Sequence, residues 1–134
     1  MRLSTRGRYG LQAVCHIAKV TQDGSHISLM DVSKSTGISE SYLEQLVRPL
    51  KKDCILGSVR GSQGGYYLAR PADEITVKDV LVSLEEFFAP TECVLRSDLC
   101  SRYSKCPYRL IWENINEKLN ESVLNISLSD IVNG

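Results

Sequence analysis

The sequence predicts a mainly α-helical fold carrying one small β-hairpin, with a long helix towards the C-terminus. Three observations predict it. Apolar residues recur at helical spacing through most of residues 7–52. Two short β-type runs follow, joined by the glycine-rich stretch GSQGG. Helical periodicity then returns, with Ile111, Ile115, Leu119 and Val123 repeating every four residues.

The elements follow in order. From Gly7 to about Val20, the residues Leu11, Val14, Cys15 and Ala18 share one helical face. TQDGSH ends that helix, with Asp-Gly as its turn signal. Ser28 opens SLMD, a Ser-x-x-Asp start for a short helix through Val32 and Ser35. Gly37 supplies the positive φ that stops it. Ser39 caps ESYLEQLVRPLKK, where Leu43, Leu46, Val47 and Leu50 form the buried stripe and Pro49 is expected to bend or shorten the end. A short helix, a tight turn and a second helix make a helix-turn-helix. Ile55–Arg60 and Tyr66–Ala69 pair as a hairpin, and a hairpin directly behind the second helix is the layout of a winged helix. Thr76 starts VKDVLVSLEEFF, with Val77, Val80, Leu81 and Leu84 on one side and Pro90 closing it after Phe87 and Phe88. Pro107 suits the start of the last helix, PYRLIWENINEKLNESVLNISLSDIV, broadened on its apolar side by Leu110 and Trp112. Little chain follows to cover that stripe, so a second copy is its expected cover. The resulting divisions are a winged helix-turn-helix over 1–71, a connecting helix over 72–90, a cysteine loop over 91–107, and a dimerisation helix with tail over 108–134.

Composition narrows the class. At 134 residues, 43% hydrophobic and 24% charged, the chain holds one small globular domain with an ordinary core. No apolar run approaches the roughly 18 residues of a membrane span. The basic N-terminus MRLSTRGRYG is not followed by a signal-type apolar stretch, and a cytoplasmic location is expected. No nucleophile–base pair, P-loop or paired carboxylate stands out, and GSQGG joins strands rather than opening a helix, so an enzyme is not expected. The zero net charge hides an asymmetry. Residues 1–70 hold ten basic and five acidic side chains, whereas 71–134 hold six and eleven. A basic half of this kind suits a polyanion.

The second helix of the helix-turn-helix offers the side chains for that partner. Gln45 and Arg48 are types that read base edges, while Ser39, Ser41, Tyr42 and Lys51 suit phosphates. Glu44 repels phosphate yet accepts from a cytosine amino group, which makes it a discriminator. Any exposed helix is polar, so this face decides nothing alone. The wing adds the weight: Arg60 at its base and Ser62, Gln63 and Gly64 at its tip can enter a minor groove. Arg2, Arg6 and Arg8 are expected on phosphates. Double-stranded DNA with a palindromic operator, bound by a homodimer, is the expected partner.

The five cysteines divide into two kinds. Cys15 and Cys54 are expected as small buried hydrophobes. Cys93, Cys100 and Cys106 form C-x6-C-x5-C on a polar loop, without the tight pairs of a zinc knuckle. Structural disulfides do not suit a reducing compartment. By chemistry the triplet suits an iron–sulfur cluster, with zinc, redox thiols and inert cysteines as alternatives.

MRLSTRGRYG, SESYLEQLVRPLKK, VRGSQGGYYLARP and the spaced cysteines before a terminal helix resemble the bacterial iron–sulfur winged-helix transcription regulators of the IscR type. The resemblance spans essentially the whole chain. It implies a homodimeric transcription factor with Cys93, Cys100 and Cys106 as cluster ligands, a recognition helix beginning at Ser39, and a wing formed by Arg60 with GSQGG. One position departs from that pattern. Arg109 stands where the type has a histidine, and a guanidinium has no lone pair for iron. The fourth ligand is left open among Glu92, Asp98, a residue of a second subunit and an exogenous molecule, since Arg8 stands near where some similar regulators carry an acidic residue and His16 and His26 match neither pattern. Nuclearity is likewise open between [2Fe-2S] and [4Fe-4S], the latter tolerating three protein thiolates more readily. The alternative reading is a cofactor-free regulator sensing a metabolite or protein partner, with redox or zinc-binding cysteines.

Overall fold

The computed structural model describes residues 3–84 and 89–134. Expectations for Arg2, Phe87 and Phe88 therefore lie outside the described residues. The chain forms helices α1 (Thr5–Val20), α2 (Leu29–Thr36) and α3 (Glu40–Lys52), then strands β1 (Leu56–Val59) and β2 (Gly65–Leu68). Helices α4 (Val77–Ser83), α5 (Glu92–Leu95), α6 (Arg109–Leu124) and α7 (Leu128–Asn133) follow. No helix among the described residues is long and apolar enough to cross a membrane.

Side-chain caps set the helix starts. Ser4, Ser28 and Ser39 accept from the backbone N–H of Gly7, Asp31 and Tyr42 and so open α1, α2 and α3. Gly37 ends α2 at φ +77°, which lets the chain turn within three residues into α3. Leu43, Leu46 and Leu50 of α3 meet Val14 and Ile17 of α1, Val32 of α2 and Ile55 in one continuous core. That burial fixes which face of α3 turns outward. Pro49 does not shorten α3, which runs on to Lys52. The ring removes one donor, that to the carbonyl of Gln45, and the buried neighbours Leu46 and Leu50 outweigh that loss.

Strands β1 and β2 pair antiparallel with Leu56 opposite Leu68 and Val59 opposite Gly65. Ile27 adds an isolated bridge to Tyr66, so the hairpin is backed by a short third segment. Two stranded ribbons alone are marginal in water, and this backing helps to order the wing.

Three expectations are corrected. Cys54 is exposed, not buried, and takes φ +60°. It is the reversal residue between α3 and β1, and the turn sends Ile55 inward in its place, 1% exposed. The terminal helix is not continuous: α6 stops at Leu124 and α7 restarts at Leu128. Ser127 and Asp130 make a reciprocal capping box there, and Leu128, 0% exposed, enters the core of the head. Backbone bonds from Val77 N to Ile126 O and from Leu128 N to Ile75 O, both 2.8 Å, stitch this junction to the start of α4. The start of α6 also falls at Arg109, two residues past Pro107.

Candidate functional site

On α3, Ser41, Glu44, Gln45, Arg48 and Lys51 are all exposed and lie at steps of three and four, forming one ridge opposite the buried stripe. Ser39 is exposed but its hydroxyl already caps the helix. Tyr42 differs from its neighbours. It is half-buried against the core and meets Tyr9 edge-on, with centroids 6.1 Å apart and planes at 84°. Its ring therefore locks α3 to α1. Arg8 lies over the Tyr9 ring at 5.8 Å, so a cation from α1 sits beside the start of α3. Arg6 donates its Nε–H to the carbonyl of Leu84 at 3.2 Å, which ties the start of α1 to the end of α4.

Arg60, Ser62 and Gln63 are exposed and Gly64 is half-buried. A Cβ on Gly64 would approach Val59 O to 2.0 Å, so the tight tip requires glycine there.

The second candidate site lies beside α6. Cys93, Val94, Cys100, Tyr103, Cys106, Arg109 and Trp112 line one small pocket of about 10 Å³. The expected loose loop is partly helical: α5 carries Cys93, and 3₁₀ turns at Ser97–Leu99 and Tyr103–Lys105 precede Cys100 and Cys106. All three thiols are half-buried, and Thr91 Oγ1 lies 3.0 Å from Cys93 Sγ. Tyr103 donates to Glu113 at 2.5 Å, and that bond is the main reason its phenol is held above its ordinary pKa. Arg109 stacks over the Tyr103 ring at 5.6 Å and approaches Glu113 Oε1 at 3.8 Å. A guanidinium on the pocket wall favours anionic contents. Among the described residues, no group of three or more His, Cys, Asp or Glu side chains is arranged to hold a metal ion. The thiols share a cavity without closing on a single point.

Residues 3–134 match the model of the Rrf2 family, described as an iron-dependent transcriptional regulator. The chain belongs to the Rrf2 family. Among relatives of this Rrf2 chain, the HTH-type transcriptional regulator IscR of Erwinia tasmaniensis is 36% identical over 133 residues, spanning 99% of this chain and 79% of the relative. IscR of Yersinia pestis is 37% identical, spanning 99% and 80%. Among solved structures, CymR, described as the global cysteine regulator of B. subtilis, superposes with TM-score 0.85 at 32% identity over 99% and 97% of the two chains. T. potens IscR superposes with TM-score 0.74 at 32% identity over 99% and 87%.

The Rrf2 chain is thus a DNA-binding transcriptional regulator with a winged-helix fold, and not an enzyme. The family is described as iron-dependent and CymR as a global cysteine regulator, so membership alone does not name a signal for this Rrf2 chain. Two aromatic residues of the cysteine pocket, Tyr103 and Trp112, had no role in the sequence reading beyond loop composition and an apolar face. Of the proposed fourth ligands, Asp98 is engaged by Arg96 at 2.8 Å and neither it nor Glu92 lines the pocket. Cys15 is half-buried against the core, and desolvation raises its thiol pKa, as suits a packing residue.

Proposed function

We propose that this protein is a cytoplasmic homodimer that binds a palindromic operator through α3 and the wing, and whose affinity is set by an iron–sulfur cluster on Cys93, Cys100 and Cys106. The observation that carries the reading is the convergence of three thiols on one pocket at the base of α6. The residues present fit the group in kind, as three cysteine thiols, and fall one short of its usual four ligands. A cluster is wider than one ion, so sulfurs that surround a cavity rather than a point are suitable donors. The fourth position is left to a partner subunit or an exogenous molecule, because the pocket offers Arg109 and the committed Tyr103 instead. When bound, the cluster supplies a redox couple and iron–thiolate bonds that are lost with it.

The chain's own residues supply the transmission. Cys106 and Arg109 meet the first turn of α6, whose far end is fastened to α4 through Ile126 and Leu128. Helix α4 packs on α1, which carries α3. A change in how the loop grips α6 therefore reaches the head through packed helices rather than a flexible linker. Dimerisation is supported by α6 itself: no residue of it is buried, and Leu110, Ile111 and Ile115 are 72%, 54% and 39% exposed. An apolar ridge of that extent is a protein contact surface.

The test is anaerobic purification followed by iron and sulfide analysis and visible absorption. Bound iron and sulfide with charge-transfer bands are expected; a colourless protein that takes up neither on reconstitution overturns the cluster. A second reading is favoured by the lack of a compact metal-ligating group among the described residues and by the likeness to CymR: a cofactor-free regulator using the same thiols for redox or metabolite sensing. It predicts reversible thiol oxidation without iron.

For the operator contacts, Ser39, Ser41, Tyr42, Glu44, Gln45, Arg48, Lys51, Arg60, Ser62, Gln63 and Gly64 form the proposed surface, joined by Arg2 and Arg8 on phosphates. Glu44→Ala is expected to relax sequence preference without weakening overall binding. Lys51→Ala is expected to weaken all sequences alike and flatten the salt slope by about 0.9, the value for one lost phosphate contact. Competition binding with matched and mismatched duplexes over a salt series separates the two, and an equal loss on every sequence for Glu44→Ala removes its reading role.

A further inference from the structure

The wing is held at its tip by a residue that is not part of it. His26 Nε2 lies 2.7 Å from the carbonyl oxygen of Gln63, which is 37 positions further along the chain. A carbonyl only accepts, so Nε2 carries the hydrogen and donates it. The next residue continues the attachment: Ile27 N donates to Tyr66 O at 3.0 Å and Tyr66 N donates to Ile27 O at 2.7 Å. Residues 26 and 27 thus run beside β2 and reach from its middle to the tip. The fit is close, because a Cβ on Gly65 would come within 2.5 Å of the Ile27 carbonyl. The turn's own bond, Gly64 N to Gly61 O at 3.0 Å, closes the tip but does not aim it relative to the head. His26 itself is exposed, so burial does not explain its presence.

We infer that His26 is a wing-positioning residue: its imidazole fixes the pose from which Arg60, Ser62 and Gln63 meet the DNA, and it raises operator affinity without reading a base. The reason is preorganisation. A tip free to swing must be ordered when DNA binds, and that ordering subtracts from affinity. A tip already bonded to the segment before α2 meets the groove in one conformation, in fixed register with α3.

This inference rests on the proposed contact between wing and DNA, and the experiment separates the two. The probe is the duplex that wild-type protein selects from a random-sequence pool. His26→Ala removes the donor, whereas His26→Gln keeps an amide N–H of similar reach. For His26→Ala, roughly three- to tenfold weaker binding is expected, the range for one net hydrogen bond. It should lose hydroxyl-radical protection under the wing while keeping major-groove protection under α3 and the wild-type salt slope. His26→Gln should recover both affinity and wing protection, which a merely structural role would not require. Affinity within about twofold of wild type with the wing protection intact overturns the inference, being less than one hydrogen bond supplies. So does His26→Gln behaving like His26→Ala, or loss of the α3 protection together with that of the wing. Arg60→Ala serves as the control. If it leaves the wing protection unchanged, the wing contact itself fails; if it removes protection that His26→Ala retains, only the role of His26 fails.

Discussion

Replacing Cys93, Cys100 and Cys106 together by serine is expected to abolish the response of operator binding to iron and sulfide while leaving the head able to bind DNA. Serine keeps the size of the side chain but gives no thiolate, so the pocket beside α6 loses its donors without losing its walls. The wild-type protein should change affinity between its loaded and stripped forms by 5- to 150-fold, the span of a coupling of about 1–3 kcal/mol. In the variant the two preparations should coincide. Titration of the selected duplex with anaerobically reconstituted and chelator-treated protein measures it. A variant that still responds in full would place the sensor elsewhere in the chain. A wild-type protein that responds to thiol oxidants but not to iron would support the cofactor-free reading.

The largest effect on stability is expected at Leu128. Its side chain is 0% exposed and sits in the same core as Val14, Ile17 and Leu43, although it comes from the far end of the chain. Leu128→Ala leaves a cavity and should lower unfolding free energy by about 2–5 kcal/mol. That is a large part of the about 5–15 kcal/mol typical of a folded domain. The same change loosens the anchor at which α6 is stitched to α4, so regulation and stability should fall together. Ile131→Ala, at a position 41% exposed on the same short helix, should stay within about 0.5 kcal/mol of wild type. Urea unfolding at one fixed protein concentration compares them, so that any self-association bears on both alike. Equal midpoints for the two variants would show that α7 contributes nothing to the core.

Much of the head was legible because its signals are local. Ser28 and Ser39 cap the helices they were expected to cap, Gly37 takes the left-handed turn, and the stripe of Leu43, Leu46, Val47 and Leu50 is the buried one. The hairpin fell within a residue or two of its expected ends. What was not legible lies where a distant segment decides. Tyr42 offers a hydroxyl for DNA, while its packing on Tyr9 and the core was not legible. Arg6 has the charge for phosphate, and its bond to the Leu84 carbonyl was not legible. Cys54 looked like a buried thiol at a helix end, but the left-handed turn points it outward.

By itself the sequence determined a helix-turn-helix, a glycine-tipped wing, a triplet of thiols and an apolar α6, since each is written in residues three or four apart or in a single turn. Only the tertiary structure decided that those thiols share one pocket with Arg109, that His26 grips the wing tip, and that Leu128 brings the end of the chain back into the head. The physical reason is the same in each case. Periodicity reports which face of an element is apolar, but the partner that covers the face is chosen by packing across long loops, and no local pattern encodes that choice.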